Sequence, residues 1–397
     1  MKNVAVIGAG ISGIMATYFL AKKGYSVTVF DAERYPAMKC SFANGGQLSV
    51  SNSEVWNTMA NVKKGAKWML SNDAPLYIHP SLELSKIKWL TKFLFHTIDG
   101  SYVRNAISSI KLGLKSRELY QSIRNDEQIE YDYEENGILH FYKNPKYFKS
   151  AIDSTYLYEA ARAISEWKSV NTDEILAIEP ALRDSSDIIG GIWSQGDSTG
   201  DIHKFCYEMT KILESRYGVK FEFNSEIIRF STLDDFDAIV VSNGVGAQKL
   251  AKSQGDNLSI YPVKGYSITI TLDEDSEKYA PSVSLLDDEA KIVSAKLGNR
   301  LRIAGTAELN GENYDIKKHR IDPLLKWVHT NFPNINTSNY SSWACLRPMT
   351  PNMIPVIKQS KKNSKVFYHA GHGHLGWTYS PATAWQLAAM VDGHLKF

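Results

Sequence analysis

The chain has 397 residues, 43% of them hydrophobic, and its 45 Lys and Arg against 43 Asp and Glu leave a formal net charge of +2. This length and composition predict a soluble globular protein with one large or two interleaved domains, and the small net charge argues against nucleic acid as a partner. Three widely separated cysteines without a C-x-x-C pair do not suggest zinc or a redox couple, and they favour a reducing, cytoplasmic compartment.

The first 31 residues predict a strand, a tight turn, a helix and a second strand. The apolar run VAVI precedes Gly8, Gly10 and Gly13, and apolar residues then recur at helical spacing. The second strand, YSVTVFD, ends in Asp31, about where a dinucleotide fold places the acid that binds a ribose hydroxyl. We therefore expect the helix N-terminus to bind a dinucleotide pyrophosphate. The alternative is a Gly-rich turn in a fold without a cofactor.

A mostly helical region follows a polar loop at residues 40–49 and extends to about residue 125. Within it, LSKIKWLTKFLFHTI places Ile87, Leu90, Leu94 and Ile98 on one stripe, with lysines elsewhere. Such a stripe can touch a membrane surface, but it more often faces the protein core. We expect the core-facing arrangement.

Strand patterns return after residue 218. GVKFEFN and FDAIVVSNG are predicted to extend the first sheet, the latter as a buried parallel strand. GYSITITL alternates strictly, and KIVSAKLGNRLRIAG predicts two strands around a Gly-Asn turn, which indicates an antiparallel sheet. The final segment, from VFYHAG to QLAAMV, predicts a strand, a turn rich in Gly and His, and a closing helix.

Arg347 lies in WACLRPMTPN, a setting too apolar and too stiff for an ordinary surface charge. A buried guanidinium is costly without a partner. Arg347 therefore either has a permanent Asp or Glu partner or awaits an anion, and its forked donors suit a carboxylate. Residue type alone leaves both possibilities open.

His369, His372 and His374 lie close together in the final turn and raise the possibility of a metal site. Their spacing on a Gly-rich turn does not impose a fixed geometry, and no Cys or carboxylate lies beside them. We expect no metal. The start of the following helix is instead predicted to face a cofactor with its N–H groups.

Seven stretches in a fixed order are the most specific feature of the sequence. They are VAVIGAGISG, SFANGGQLS, KGAKWML with APL after it, GGIWSQGDSTGD, YPVKGYSITI, LRPMTP and GHGHLGWT. Together they resemble the bacterial FAD-dependent D-amino-acid dehydrogenase (small-subunit) family, within the D-amino-acid oxidase and glycine oxidase superfamily. The resemblance implies an α/β (α+β two-domain) fold. A Rossmann-like FAD-binding domain (1–50, 150–250 and 340–397) would be interleaved with an antiparallel-sheet substrate-binding domain (51–149 and 251–339).

The resemblance also implies an activity, the oxidative deamination of D-amino acids to 2-oxo acids and ammonia. Hydride would pass from the α carbon to flavin N5, and the electrons would go to a quinone or another carrier. Arg347 resembles the residue that clamps the substrate carboxylate. Tyr266 is a second candidate, for bonding or covering that carboxylate, although it could be an ordinary strand tyrosine. His374, which stands where related dehydrogenases usually have a smaller polar residue, is the third candidate catalytic residue.

The cofactor contacts implied by the resemblance come from five parts of the chain. They are the glycine turn with the end of the second strand, the loop after residue 40, one adenine contact, the end of a later strand, and the start of the last helix. The residues are Gly8, Gly10, Ile11, Ser12, Gly13, Asp31, Ala32, Glu33, Ala43, Asn44, Gly45, Gly46, Gln47, Leu48, Ile227, Ser242, Asn243, Gly244, Gly373, His374, Leu375, Gly376, Trp377 and Thr378.

Three functions remain open at this point. They are a D-amino-acid dehydrogenase, a glycine or sarcosine-type oxidase using oxygen, and a non-catalytic flavin subunit of an electron-transfer complex. Arg347 and Tyr266 argue against the third. Cys345 resembles the cysteine that carries covalent flavin in the sarcosine oxidase branch, but a small core residue is commoner, so we expect non-covalent FAD. We expect a cytoplasmic protein, with peripheral contact at the inner membrane as an option.

Overall fold

The computed structural model describes residues 2–68 and 74–396, which form two main sheets and the helices that cover them. The end of the KGAKWML stretch lies outside the described residues. The helices are α1 (Ile11–Lys22), α2 (Met59–Trp68), α3 (Leu84–Ile98), α4 (Tyr102–Glu127), α5 (Pro145–Asp153), α6 (Thr155–Ala160), α7 (Thr172–Ile178), α8 (Ile202–Tyr217), α9 (Gly246–Ser253), α10 (Glu274–Glu277), α11 (Lys318–Asn331) and α12 (Gly376–Leu395).

Short 3-10 turns occur at Ile164–Glu166, Pro180–Asp184 and Phe230–Leu233. The strands are β1 (Asn3–Ile7), β2 (Ser26–Phe30), β3 (Gln47–Leu48), β4 (Leu76–Ile78), β5 (Ile138–Tyr142), β6 (Lys168–Val170), β7 (Gly190–Ser194), β8 (Ser198–Thr199), β9 (Lys220–Glu222), β10 (Ala238–Val241), β11 (Tyr261–Thr271), β12 (Ser284–Asp287), β13 (Ile292–Leu297), β14 (Arg300–Leu309), β15 (Tyr340–Met349), β16 (Val356–Gln359) and β17 (Val366–Ala370).

The first sheet has the order β16-β17-β10-β1-β2-β9 and is parallel except for β16. Residues of β1 and β10 are buried on both faces, as expected for central parallel strands covered by helices. Helices α1, α8 and α12 pack against one face, and α9 packs against the other. The predicted strands in this sheet and the closing strand and helix are confirmed.

The turn between β1 and α1 requires glycine at two positions. Gly8 has φ of +104°, a conformation that residues with a Cβ rarely adopt. A Cβ on Gly13 would lie 1.7 Å from the carbonyl oxygen of Gly8. The helix therefore begins in direct contact with the end of β1, which leaves its first N–H groups facing the edge of the sheet.

The second sheet has the order β15-β11-β14-β13-β12-β5-β7-β6, with β4 pairing to β14. Its pairs are antiparallel except β12 with β5 and β14 with β4. The predicted antiparallel strands are confirmed as β11, β13 and β14, and Gly298 and Asn299 form the expected turn. One face of the sheet packs against α11 through Leu324, Trp327 and Val328.

Two parts of the second sheet fall inside segments that the sequence placed in the FAD-binding domain. β6 and β7 pair with each other and with β5, and β15 pairs with β11 along its whole length. Residues 168–194 and 340–349 therefore belong with the second sheet, and the division into an FAD-binding and a substrate-binding domain stays a prediction. Alternation along a strand indicates which residues are buried, but not which neighbour the strand will join.

The stripe predicted to be buried on α3 is mostly exposed, so the core-facing prediction was wrong. Ile87, Leu94 and Ile98 are 44%, 46% and 73% exposed. The helix packs instead through Trp89, whose ring stacks on Phe93 at a centroid distance of 5.5 Å. Two adjacent apolar stripes compete on this helix, and the aromatic one buries more area.

The Gly13 contact predicts a large effect of adding one methyl group. In Gly13→Ala the Cβ would overlap the Gly8 carbonyl, so α1 must shift, and we expect a loss of about 2–4 kcal/mol in the free energy of unfolding. Thermal and denaturant unfolding would measure it. The matched control is Gly393→Ala, in exposed helix with no atom within 4 Å, which should be neutral or stabilising. Equal stability of the Gly13→Ala and native proteins would contradict the steric argument.

Candidate active site

A cavity of about 760 Å³ is lined by residues from both sheets. Its wall includes the ends of β1 and β10, the N-termini of α1 and α12, part of α3, and strands β11, β14 and β15. The volume is in the range of cofactor and substrate sites. Of the predicted cofactor contacts, all except Gly13, Gly46, Leu48 and Thr378 line this cavity.

The glycine turn is held in shape by two side chains from outside it. Asp31 accepts hydrogen bonds from the backbone N–H of Ala9 at 2.5 Å and of Glu33 at 2.8 Å. The Ser41 hydroxyl accepts from the N–H of Ile11 at 3.1 Å, in the first turn of α1. Asp31 thus has a structural role that the sequence did not indicate, and its predicted ribose contact stays a prediction.

The guanidinium of Arg347 lies in the cavity wall without a carboxylate partner. Nη1 donates to the carbonyl oxygen of Thr306 at 2.8 Å, and no Asp or Glu oxygen among the described residues lies within 4.0 Å. Burial lowers the pKa of Arg347, although a guanidinium remains charged. Of the two possibilities that the sequence left open, the permanent ion pair is absent within residues 2–68 and 74–396.

Two residues that the sequence did not predict position this guanidinium: one leaves space for it and the other accepts its hydrogen bond. A Cβ on Gly265 would lie 2.2 Å from Nη2 of Arg347, so only glycine leaves the space. Thr306 has φ of +61°, which is unfavourable for a β-branched residue and turns its carbonyl toward Arg347. A glycine inside the strictly alternating strand KGYSITI was the available signal for the first residue. No sequence signal indicated the second.

His374 lies near Arg347 as a neutral ring. Burial, followed by the charges of Arg347 and Lys291, lowers the pKa of His374 to about 3. Its imidazole stacks on the indole of Trp56 at a centroid distance of 4.6 Å, and Nε2 has no hydrogen-bond partner among the described residues. The ring can therefore exchange a hydrogen bond with a ligand without adding a second positive charge to the site.

The structure does not bring the Tyr266 hydroxyl to Arg347. Successive residues of a strand point to opposite faces, and Arg347 pairs with Val263 while Tyr266 pairs with Ala344. The Tyr266 hydroxyl donates to Glu308 at 2.8 Å, and its ring packs in the core of the second sheet. Burial and the bond to Glu308 raise the pKa of Tyr266, so it stays protonated. Tyr266 contributes to the cavity wall, with its hydroxyl already engaged.

Five buried polar atoms around the cavity lack a hydrogen-bond partner among the described residues. They are Asn243 Oδ1, Thr306 Oγ1, Trp343 Nε1, His374 Nε2 and Trp377 Nε1. Leaving such a group unsatisfied costs about 1–3 kcal/mol, so their concentration around one cavity indicates a polar ligand. Donors and acceptors are both present, which suits a ligand with carbonyl oxygens and N–H groups.

His369 and His372 take part in a buried network of hydroxyl groups centred on Thr383. Their Nε2 atoms lie 2.8 Å and 3.0 Å from the Thr383 hydroxyl. Their Nδ1 atoms face Ser242 at 3.4 Å and Ser12 at 3.2 Å, respectively. Because both ring nitrogens of each histidine have a hydroxyl partner, the network ties the glycine turn and β10 to α12.

One part of the cavity wall is apolar, and the sequence did not predict it. It comes from segments far apart in sequence that meet beside α3, so no local pattern could indicate it. Its residues are Trp56, Leu76, Ile78, Trp89, Leu90, Phe93, Met349 and Met353.

Comparison with known proteins identifies relatives over the whole chain. Residues 3–390 match the family model DAO, described as FAD dependent oxidoreductase. The D-amino acid dehydrogenase 3 of Mesorhizobium japonicum is 43% identical, with 98% of this chain and 97% of that protein covered. The D-amino acid dehydrogenase of Dechloromonas aromatica is 35% identical, also with 98% and 97% covered.

Solved structures show the same fold. Glycine oxidase from Geobacillus kaustophilus superposes with a TM-score of 0.75 over 99% of this chain and 95% of that chain, at 19% identity. L-proline dehydrogenase from P. horikoshii superposes with a TM-score of 0.73 over 99% and 93%, at 14% identity. At these identities the likeness concerns the fold alone.

The buried histidine network predicts how stability depends on pH. Burial lowers the pKa of His372 from 6.5 to about 3, so below pH 6.5 the unfolded chain binds a proton that the folded protein does not. Stability should therefore fall with pH from about 6.5 toward 3, by about 1.4 kcal/mol per pH unit for this residue. In His372→Asn the slope of unfolding free energy against pH, measured by denaturant titration, should be shallower by that amount. Above about pH 7.5 the histidine is neutral in both states, and the two slopes should agree. Equal slopes at acidic pH would contradict the prediction.

Proposed function

We propose that this chain, which belongs to the DAO family of FAD-dependent oxidoreductases, oxidises D-amino acids to 2-oxo acids and ammonia as a dehydrogenase. The observation that carries the proposal is the Arg347 guanidinium, held without a carboxylate partner in the cavity that also contains the glycine turn. Relatives named D-amino acid dehydrogenase match almost the full chain and support this substrate class.

The residues around the cavity fit FAD. The start of α1 and the adjoining ends of β1 and β10 suit a pyrophosphate, and α12 begins at Gly376 without a side-chain cap. Asn243 and Trp377 each present a buried polar atom that lacks a protein partner among the described residues. When bound, FAD supplies the two-electron acceptor for the reaction. We expect it to be held without a covalent link.

Arg347 would bind the substrate carboxylate. Thr306 engages Nη1 at 2.8 Å, which orients the planar group while its other donors remain for the ligand. Fixing the carboxylate positions the α carbon, and positioning of this kind lowers the barrier without further acid or base groups. Since the amine must be neutral to form the imine, activity should rise as pH approaches the ionisation of the amine. The neutral His374 avoids added repulsion of an ammonium group and can bond it through Nε2.

The substrate side chain would lie against the apolar wall. Trp56, Trp89, Phe93 and Met349 present aromatic and thioether surfaces near the Arg347 end of the cavity. This wall favours D-amino acids with apolar side chains over charged ones.

The electron acceptor would be a quinone or a similar carrier reached near α3. Leu90, Phe93 and Leu94 of α3 line the cavity, and Ile87, Phe95 and Ile98 of the same helix are exposed, so α3 is part of the wall between the site and its surroundings. The outer surface carries an α3 apolar patch. Its residues are Leu82, Leu84, Ile87, Leu94, Phe95 and Ile98. Exposed lysines at 63, 67, 88 and 92 flank it, as in segments that rest on anionic lipid surfaces.

Every helix described within residues 2–68 and 74–396 is too short or too polar to cross a membrane. The membrane contact that we propose is therefore peripheral, through the α3 apolar patch. A glycine or sarcosine-type oxidase using oxygen is the second candidate, because the same guanidinium would bind the carboxylate of glycine or sarcosine. Rapid hydrogen peroxide formation during turnover would favour it over the dehydrogenase.

The first test of the proposed function is anaerobic flavin reduction. The purified yellow protein is mixed with D-amino acids, their L forms, glycine and sarcosine, and flavin absorbance is followed. We expect bleaching by apolar D-amino acids and slow recovery when air is admitted. If no amino acid bleaches a flavin that dithionite reduces, the proposal is wrong.

Substitution of Arg347 tests its role directly. Arg347→Met should lower kcat/KM for D-amino acids by about 100- to 1000-fold, since a charge-assisted bidentate contact is lost, while flavin retention stays unchanged. Arg347→Lys should recover part of the loss because the charge returns without the fork. The control is Arg183→Met, an exposed arginine. Activity of Arg347→Met within tenfold of native would rule out the carboxylate clamp.

The membrane contact is tested by removing apolar surface from α3. The double variant Phe95→Glu, Ile98→Glu should lose co-sedimentation with vesicles containing anionic phospholipid, because two exposed apolar side chains become charged. Turnover with a water-soluble acceptor should remain. The control Ile228→Glu changes an exposed residue elsewhere and should bind vesicles as the native protein does. Equal binding by the double variant would exclude the α3 apolar patch as the contact.

A further inference from the structure

Two cysteines that are 305 residues apart in sequence meet in the wall of the cavity. The Sγ atoms of Cys40 and Cys345 are 2.7 Å apart, and the Cys40 thiol also donates to the carbonyl oxygen of Leu346 at 2.7 Å. Both cysteines line the cavity and both are partly exposed. The sulfurs are closer than ordinary non-bonded contact and about 0.7 Å further apart than in a disulfide.

The two cysteines belong to different segments of the cavity wall. Cys40 lies in the loop after β2, immediately before Ser41, whose hydroxyl accepts from the first turn of α1. Cys345 lies on β15, opposite Gly265 and on the same face of the strand as Arg347. A bond between them would join the loop after β2 to the strand that carries Arg347.

We propose that Cys40 and Cys345 are a redox-active dithiol that closes reversibly to a disulfide across this cavity wall. The oxidant is a low-molecular-weight disulfide. One protein thiolate attacks it and releases one small thiol, and the other protein thiolate then displaces the second small thiol from the mixed disulfide. The S–S bond of the small disulfide breaks, one forms in the protein, and the two protein protons leave with the two small thiols.

The surroundings of the pair set its reactivity. The hydrogen bond between the two thiols, then burial, raises the pKa of Cys40, while the charges of Arg347 and Lys39 oppose this rise. Oxidation should therefore be slow at neutral pH and accelerate as pH rises, because the thiolate is the attacking species. In a reducing compartment the pair would be a dithiol and would close under oxidising conditions.

Closing the bond should slow the escape of a ligand from the cavity. In the dithiol form the loop carrying Cys40 and strand β15 can separate, whereas in the disulfide form they cannot. We expect FAD to dissociate several-fold more slowly from the oxidised protein than from the reduced protein. The expected change in FAD release requires only that the protein binds FAD. It does not depend on which substrate the enzyme oxidises.

The experiment compares the holoenzyme equilibrated in reduced or oxidised glutathione. Free thiols are alkylated under denaturing conditions, and peptides are mapped without reduction. We expect the alkylated cysteines to fall from three to one on oxidation, with a peptide bridging Cys40 and Cys345. Cys206, which is fully buried on α8, is the internal control and should be alkylated in both samples. Dithiothreitol should reverse the change.

Flavin release is then measured by fluorescence in the same two samples and in Cys40→Ser and Cys345→Ser. Slow release in the oxidised native protein only, with both variants insensitive to redox state, is the expected result. Three alkylated cysteines after oxidation would overturn the proposal, as would a flavin that remains on Cys345 after acid precipitation. A bridging peptide without any change in flavin release would overturn the proposed effect on the cavity.

Discussion

The arrangement of the cavity depends on one unbalanced charge. A guanidinium removed from water is costly unless an anion or polar groups compensate it. Arg347 receives a single carbonyl from Thr306 and no carboxylate within the described parts of the chain. Gly265 lacks the atom that would occupy the space, and Thr306 adopts an unfavourable backbone conformation to aim its carbonyl. Residues on three strands of the second sheet are thus arranged around a charge that no carboxylate among the described residues compensates.

The two sheets contribute complementary halves of one site. The parallel sheet supplies helix N-termini and strand ends, where N–H groups favour a phosphate-bearing cofactor. The second sheet supplies the guanidinium of Arg347, which we propose binds a small anion, together with an apolar wall that α3 completes. The histidine and hydroxyl network under the glycine turn ties the first half to α12. Neither half alone would place a bound substrate against a bound cofactor.

Much of the fold and part of the site could be predicted from local pattern and resemblance. The glycine turn, the strand pairs around Gly298 and Asn299, and the closing helix are all encoded by residues near one another. The face of α3 was not predictable, because two apolar stripes were available and the choice depended on β11. The face of β11 on which the Tyr266 side chain lies could not be predicted either. Its face of β11 follows from the register with β15, and a shift of one residue would reverse it.

The sequence by itself determined the family and the glycine turn between β1 and α1, because both rest on residue types at fixed local spacing. Only the tertiary structure decided that Arg347 has no carboxylate partner among the described residues and that Tyr266 is committed to Glu308. It also brought Cys40 to Cys345. Those facts are contacts between segments up to 305 residues apart, and chain folding, not local propensity, sets which distant groups become neighbours.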